Sequence, residues 1–351
     1  MSDAPFPRSI DDEDLAAAIA AGVLPAETAE ALVAFVDARR AVAPRADEEE
    51  VRFVTSFNDV FVTLGIVLVC GGLSLLLARH SVVGASLAVA LAAWGLAEIF
   101  SRRWLMAFPS IVLTGIVVTA TGIAVFAALE PTIDESFAGL AGAVAAVAVG
   151  WAHWRRFAVP ISIAAATAAA GAAVVALLAA VAPTLLRDHV DAVILPLGLV
   201  AFALAMRWDA SDRARRTRRT DVAFWLHVLA APAIVHPLVS AAGIRLDALG
   251  VGQAAFVVVL FVFIAGVALV IDRRALLVSG LIYLGVSIAV LIRGSGWSTA
   301  SGVPVTIGLV GSVVLLLAIG WRPLRAVALS LTPDRLRAVV PLPASVRGPR
   351  P

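Results

Sequence analysis

Ten stretches of the chain, each 18 to 26 residues long, run almost without charge: 59–78, 82–100, 104–129, 137–154, 157–182, 191–208, 222–242, 251–271, 275–292 and 304–321. A helix needs about 20 largely apolar residues to cross about 30 Å of hydrocarbon. In lipid every backbone polar group must be paired inside its own element, which a helix does and an open strand does not. A membrane barrel would alternate apolar and polar residues, whereas these stretches are continuous runs of Ala, Val, Leu and Gly. The expected fold is therefore all-α, a polytopic transmembrane helix bundle of about ten spans. Composition agrees: 61% of the 351 residues are hydrophobic and 15% charged, against about 45–50% and about 25% in soluble proteins.

Charge orients the bundle. All 27 basic residues are Arg, and basic residues in short loops stay on the cytoplasmic side. The loops after spans two, four, six and eight hold twelve Arg, including Arg213, Arg215, Arg216, Arg218 and Arg219. The alternate loops hold four, Arg79, Arg187, Arg245 and Arg293. Both termini are thus expected in the cytoplasm and the protein in the inner, or plasma, membrane. Residues 1–58 carry a net charge of −7 and the remainder +9. With an acidic start and no apolar core ahead of Asp59, no signal peptide is expected, and the first span is expected to act as an uncleaved anchor.

Three regions follow: an acidic cytosolic hairpin and linker at 1–58, a ten-helix domain at 59–321 and a basic cytosolic tail at 322–351. In the hairpin, Ser9 precedes Asp11, Asp12, Glu13 and Asp14, whose carboxylates suit a helix N-terminus. Gly22 ends the first helix, and Pro25 and Glu27 fit the first turn of a second. Its apolar stripe, Leu32, Val33, Phe35 and Val36, marks residues 9–41 as a docking element for a second copy or a cytosolic partner, or for the Arg213–Arg219 cluster. The rival ligand of those Arg residues is the anionic lipid head group, attracted by about 1 kcal/mol per charge.

The segment Ala21-Gly22-Val23-Leu24-Pro25-Ala26-Glu27-Thr28-Ala29-Glu30-Ala31-Leu32 resembles the cytosolic hairpin that precedes the spans in some uncharacterised bacterial integral membrane proteins. Phe224-Trp225-Leu226-His227-Val228-Leu229-Ala230-Ala231-Pro232, continuing to His236-Pro237, is similar to a signature of one proteobacterial group of them. The resemblance implies the architecture and no assigned chemistry. A division into five plus five helices would give inverted halves, and count and topology resemble the ten-helix drug and metabolite transporters.

Ionisable groups within hydrocarbon are functional candidates. His227 and His236 flank Pro232, about 13 Å apart along a straight helix and on nearly opposite faces, so one metal cannot bridge them. Pro232 and Pro237 can kink the helix and change that geometry. Two roles fit the histidines: neutral rings hydrogen-bonded between helices, or a proton relay or substrate contact. Either requires span seven to be enclosed, with Tyr283, Ser279 or Ser287 as hydroxyl partners. Glu98 is a further candidate, with Arg102 one turn away as its simplest partner. Asp59, Asp209, Asp212, Asp221 and Asp272 read as interfacial groups that reach water or an Arg. His153, between Trp151 and Trp154, reads as an aromatic membrane boundary, and Cys70 as buried and inert.

No catalytic residue, metal site or cofactor is expected. The chain has no His-Glu-x-x-His, no Lys for a phosphate-binding loop and no nucleic-acid module. A small-solute permease or exporter for a neutral or lipid-like molecule is the first expectation, because no counter-charge lies near the midplane. A non-transporting scaffold or sensor worked through the hairpin is the alternative. The topology has a direct check. Cysteines introduced singly at Ser136 and Ser211 should label from outside and only after permeabilisation, respectively.

Overall fold

The computed structural model describes residues 12–42, 57–215, 217–244, 249–296, 298–337 and 339–341. Helices α1 (Asp12–Ala20) and α2 (Ala26–Val42) belong to a compact unit that ends at Glu50. Gly22, at φ +69°, makes the turn between them, a conformation that costs glycine little. Pro25 sits one position before the expected first turn, its carbonyl accepting the amides of Thr28 and Ala29. Ser9 lies outside the described residues.

The second unit begins at Val51. Its ten helices long and apolar enough to cross a membrane are α3 (Phe57–Ala78), α4 (Val82–Ala97) with a π-helical turn at Glu98–Arg103, α5 (Ala107–Leu129), α6 (Glu135–Phe157), α7 (Ile161–Val181), α9 (Val190–Ser211), α10 (Arg219–Ala241), α11 (Val251–Ile271), α12 (Ala275–Gly294) and α13 (Thr299–Ser330). A short α8 (Pro183–Asp188), opened by its own proline, joins the two groups of five. Among the described residues no strand occurs. The chain is an all-α, multi-pass membrane protein. Its outward side chains, such as Leu75, Leu91, Phe263 and Ile319, are apolar and exposed, as contact with hydrocarbon requires.

Helix α13 runs well beyond the expected 304–321, so the boundary drawn at 322 falls inside a helix. The reason is that Arg325 is buried and paired, so its charge does not mark the end of the span. Within the first group α5 packs on α3, α4, α6 and α7. In the second, α11, α12 and α13 pack on one another, and α10 lies against α9 and α12. The groups meet where α7 packs on α10 and α9. They are not copies in packing, because α10 rests on α12 whereas its counterpart α4 rests on α5. Helix α10 is the most enclosed span, half of it buried.

Lipid tails are as apolar as Leu, so helices in a membrane associate through close packing and polar contacts rather than water exclusion. Glycine permits that approach at two decisive places. A Cβ at Gly142 of α6 would lie 2.7 Å from the carbonyl oxygen of Gly122 in α5, and one at Gly122 would lie 3.2 Å from that of Gly142. A Cβ at Gly198 of α9 would lie 2.7 Å from the Ala233 carbonyl oxygen in α10. That carbonyl is the one Pro237 cannot hydrogen-bond, since proline has no N–H to offer four residues on. Helix α10 continues through both Pro232 and Pro237, and α9 covers the group that Pro237 leaves bare.

Substituting Leu at Gly142 or Gly198 should therefore destabilise the bundle by about 1–3 kcal/mol or more. Gly71→Ala, where nothing lies within 4 Å, should be neutral or stabilising. Melting temperatures of the purified protein in detergent report the difference.

Candidate functional site

The turn after α11 sets the site. Asp272 ends the helix in the left-handed region, φ +59°, which Asp tolerates better than most residues with a Cβ. The Arg273 amide bonds the Ala268 carbonyl at 2.9 Å and the Asp272 amide bonds that of Leu269 at 3.3 Å. This is the double C-terminal closure normally made by glycine. It turns two adjacent side chains, Asp272 and Arg273, into the bundle, where they are 4% and 1% exposed.

They go to different partners. The Arg273 guanidinium donates to both carboxylate oxygens of Asp209 in α9, at 3.1 Å from Nε, and to the Thr220 carbonyl in α10 at 3.1 Å. His227 of α10 donates from Nε2 to Asp209 Oδ2 at 3.0 Å. Asp209 and His227 are both completely buried. The second ring nitrogen, His227 Nδ1, has no hydrogen-bond partner among the described residues, and Phe202 packs edge-on against the ring with centroids 5.3 Å apart. Asp272 in turn accepts from Arg215 Nη1 at 2.9 Å and Trp321 Nε1 at 2.8 Å, with Arg325 Nε at 3.6 Å. Arg215 also donates to the Asp272 carbonyl at 2.8 Å. Two carboxylates and three guanidiniums thus tie α9, α10, α13 and the loops between them. Each buried ion carries an effective desolvation cost of several kcal/mol, so this cluster is expensive wherever it is not repaid by geometry or function.

His227 finds a carboxylate rather than a hydroxyl of α12. Its neighbour in sequence, His236, takes Tyr283, with Nδ1 2.5 Å from the phenol oxygen, and is exposed. Nearby at that end of α10, Ser240 donates to Asp191 at 2.5 Å. Asp209, Asp272 and Asp59 are buried rather than water-facing, and the first two reach an Arg, the other partner expected of them. An acid at a helix end can turn inward when the adjoining loop folds back with a partner, which hydropathy does not reveal. Glu98 pairs chiefly with Arg156 of α6, at 2.7 and 2.9 Å, and only secondarily with Arg102 at 3.4 Å. The extra residue of the π-turn aims Glu98 at the neighbouring span. Among the expected Arg ligands of lipid, Arg218 reaches the Ala158 carbonyl at 3.5 Å and Arg219 is exposed. Arg215 is buried in the cluster, Arg213 holds the C-terminal segment, and Arg216 lies outside the described residues.

His153 is completely buried rather than a boundary residue. Its Nδ1 lies 2.9 Å from Ser162 Oγ and 3.5 Å from Thr114 Oγ1, and Trp94 and Phe157 pack on its ring. The signal that could have found it is its spacing, nine residues before Ser162 across a short turn. In the same group of helices a groove of about 570 Å³ runs between α5, α6 and α7. Thr119 is its one polar lining side chain, and that hydroxyl donates to its own helix at Gly115, 2.7 Å away. Among the described residues no three His, Cys, Asp or Glu gather as metal ligands. No known protein family, curated protein or solved structure matches the chain.

Breaking one partner of the Asp209–Arg273 pair should cost about 3–5 kcal/mol by stranding a buried charge. The double change Asp209→Leu with Arg273→Met should restore part of the loss that either single change causes. A double-mutant cycle on thermal unfolding in detergent measures the coupling.

Proposed function

We propose that the protein is a solute carrier, a permease or exporter of a neutral or lipid-like molecule, in which His227 holds a proton at Nδ1. The observation that carries the reading is the Asp209–His227–Arg273 cluster. A wholly buried ion pair shared by two spans and a turn is rarely the most stable solution available, and intramembrane ionisable groups mark transport pathways and proton relays by default. His227 donates Nε2–H to Asp209, which leaves Nδ1 as the proton acceptor, facing Phe202 on one side. The charged groups that act on it are Asp209 from α9 and Arg273 and Arg215 from the adjoining turns.

Because Arg273 already neutralises Asp209, the ion pair beside His227 offers no free carboxylate to a cationic substrate. The apolar groove along α5, α6 and α7 favours an uncharged or hydrocarbon-rich one. In this reading the Arg-rich face is cytoplasmic, the membrane is a bacterial inner membrane, and no step of chemistry on the substrate is assigned. His236 with Tyr283, at the opposite end of α10, lies where such a path would leave the bundle.

One observation favours a second reading: α1 and α2 form a compact unit of their own, which a plain carrier does not need and a scaffold or sensor would use for a cytosolic partner. Proteoliposomes separate the two. With an imposed pH gradient and a panel of uncharged solutes and short-chain lipid analogues, the carrier should give proton-linked flux. His227→Gln should abolish it with the melting temperature held within a few degrees. A protein silent to the whole panel, or unchanged flux in His227→Gln, would reject the reading.

A further inference from the structure

Beyond α13 the chain reverses at Thr332–Pro333, makes the single turn α14 (Asp334–Arg337) and returns to bury Val340 and Pro341. Backbone carbonyls of this returning segment are held by guanidiniums. Arg213 donates from Nε to Val340 and from Nη2 to Arg337, both at 2.9 Å, and Arg325 donates from Nη2 to Pro341 at 2.8 Å. Between the segment and the end of α13 lies a cavity of about 390 Å³, with Arg213, Arg337 and Ser330 on its polar side and Ala326, Leu329 and Val340 on its apolar side.

The charge in this cavity is unbalanced. Among the described residues no carboxylate lines it. Arg213 spends two of its five N–H donors on neutral carbonyls, which satisfy hydrogen bonds without cancelling charge. Among the described residues it makes no ion pair. Arg337 donates to the Ser330 carbonyl at 2.9 Å and, among the described residues, its one acidic partner is Asp334, at 3.3 Å, a carboxylate whose side chain is 95% exposed and therefore contributes little screening of the cavity. Two forked cations beside an apolar wall, at the end of a membrane span, match an anion with hydrocarbon attached. Guanidiniums bind phosphate oxygens in bidentate fashion, and the volume falls at the small end of ligand pockets.

We propose that this cavity is a binding site for the phosphate head group of an anionic phospholipid, with Arg213 and Arg337 on the phosphate and the first methylenes of the chains against Ala326, Leu329 and Val340. The site is independent of whether the protein transports anything. It is also more specific than attraction to a basic surface, because one of its two cations is fixed by the backbone of the returning segment.

The test is native mass spectrometry of the full-length protein in detergent, titrated with phosphatidylglycerol, with phosphatidylcholine of the same chains, and with inorganic phosphate alone. Phosphatidylglycerol should be retained about tenfold more tightly than phosphatidylcholine. Arg337→Gln should weaken it about fivefold, the factor of a single lost charge, and Arg213→Gln at least as much. Arg103→Gln, an exposed Arg at another part of the Arg-rich face, should leave retention unchanged. Because Arg213 also anchors the segment, Arg337→Gln, which keeps the backbone carbonyl that Arg213 uses, guards against mere unfolding. Equal retention of the two lipids, or equal losses in Arg337→Gln and Arg103→Gln, would overturn the site. Inorganic phosphate retained as tightly as phosphatidylglycerol would overturn the lipid as its ligand.

Discussion

Two adjacent side chains of opposite charge, Asp272 and Arg273, enter the bundle from one turn, and the second group of helices is assembled around them. Each alone would be a buried ion of several kcal/mol unfavourable free energy. Together they point to separate partners, so that Arg273 fastens α9 to α10 through Asp209 and Thr220 while Asp272 fastens the loop after α9 to α13 through Arg215, Trp321 and Arg325. The left-handed backbone at Asp272 makes this divergence possible, since a helical continuation would set the two side chains about 100° apart on one helix surface instead. The cost of desolvation is offset only if every partner is in place. The cluster therefore couples the positions of four elements more stringently than apolar packing would.

The first group of helices is held differently. Its spans approach through Gly122 and Gly142 and bury the imidazole of His153 among hydroxyls and aromatic rings. Glu98 and Arg156 pair acid with base between two of its spans at the partly exposed rim. Dispersion and small-residue contact give a surface that can slide by fractions of an ångström, while a charge cluster has discrete arrangements. The mechanical contrast between the groups meets at α7 and α10.

The spans were legible because hydropathy over twenty residues is a sum over many side chains and tolerates local error. The site was legible only in part, for a reason that His227 and Asp209 illustrate. His227 stood out because it is polar inside an apolar run, but Asp209 sits two residues from the end of α9, where an acid is ordinarily solvated. What buries it is a guanidinium supplied by a turn 64 residues later, a contact that no periodicity encodes. The same holds for Glu98, which keeps the Arg102 partner that local spacing supplies and adds a shorter pair to Arg156, 58 residues on, that no local spacing encodes. His153 was hidden for the opposite reason: flanking Trp and Arg gave it the look of an interface, and only the turn of the chain into α7 brings Ser162 beneath it.

The π-helical turn at Glu98–Arg103 acts as a phase shifter within its span. A π-turn accommodates one residue more than an α-turn over nearly the same rise, and one residue of α-helix is about 100° of rotation. Upstream of it Trp94 faces His153, and within it Glu98 faces Arg156. An uninterrupted α-helix would keep one angular relation between those faces and the following turn at Trp104 to Met106, and the π-turn replaces it with another. Span length and hydropathy are insensitive to that single residue, but the azimuth of everything that follows is not. A one-residue deletion here would leave a sequence that still reads as ten spans while turning the end of α4 away from the partners it now meets.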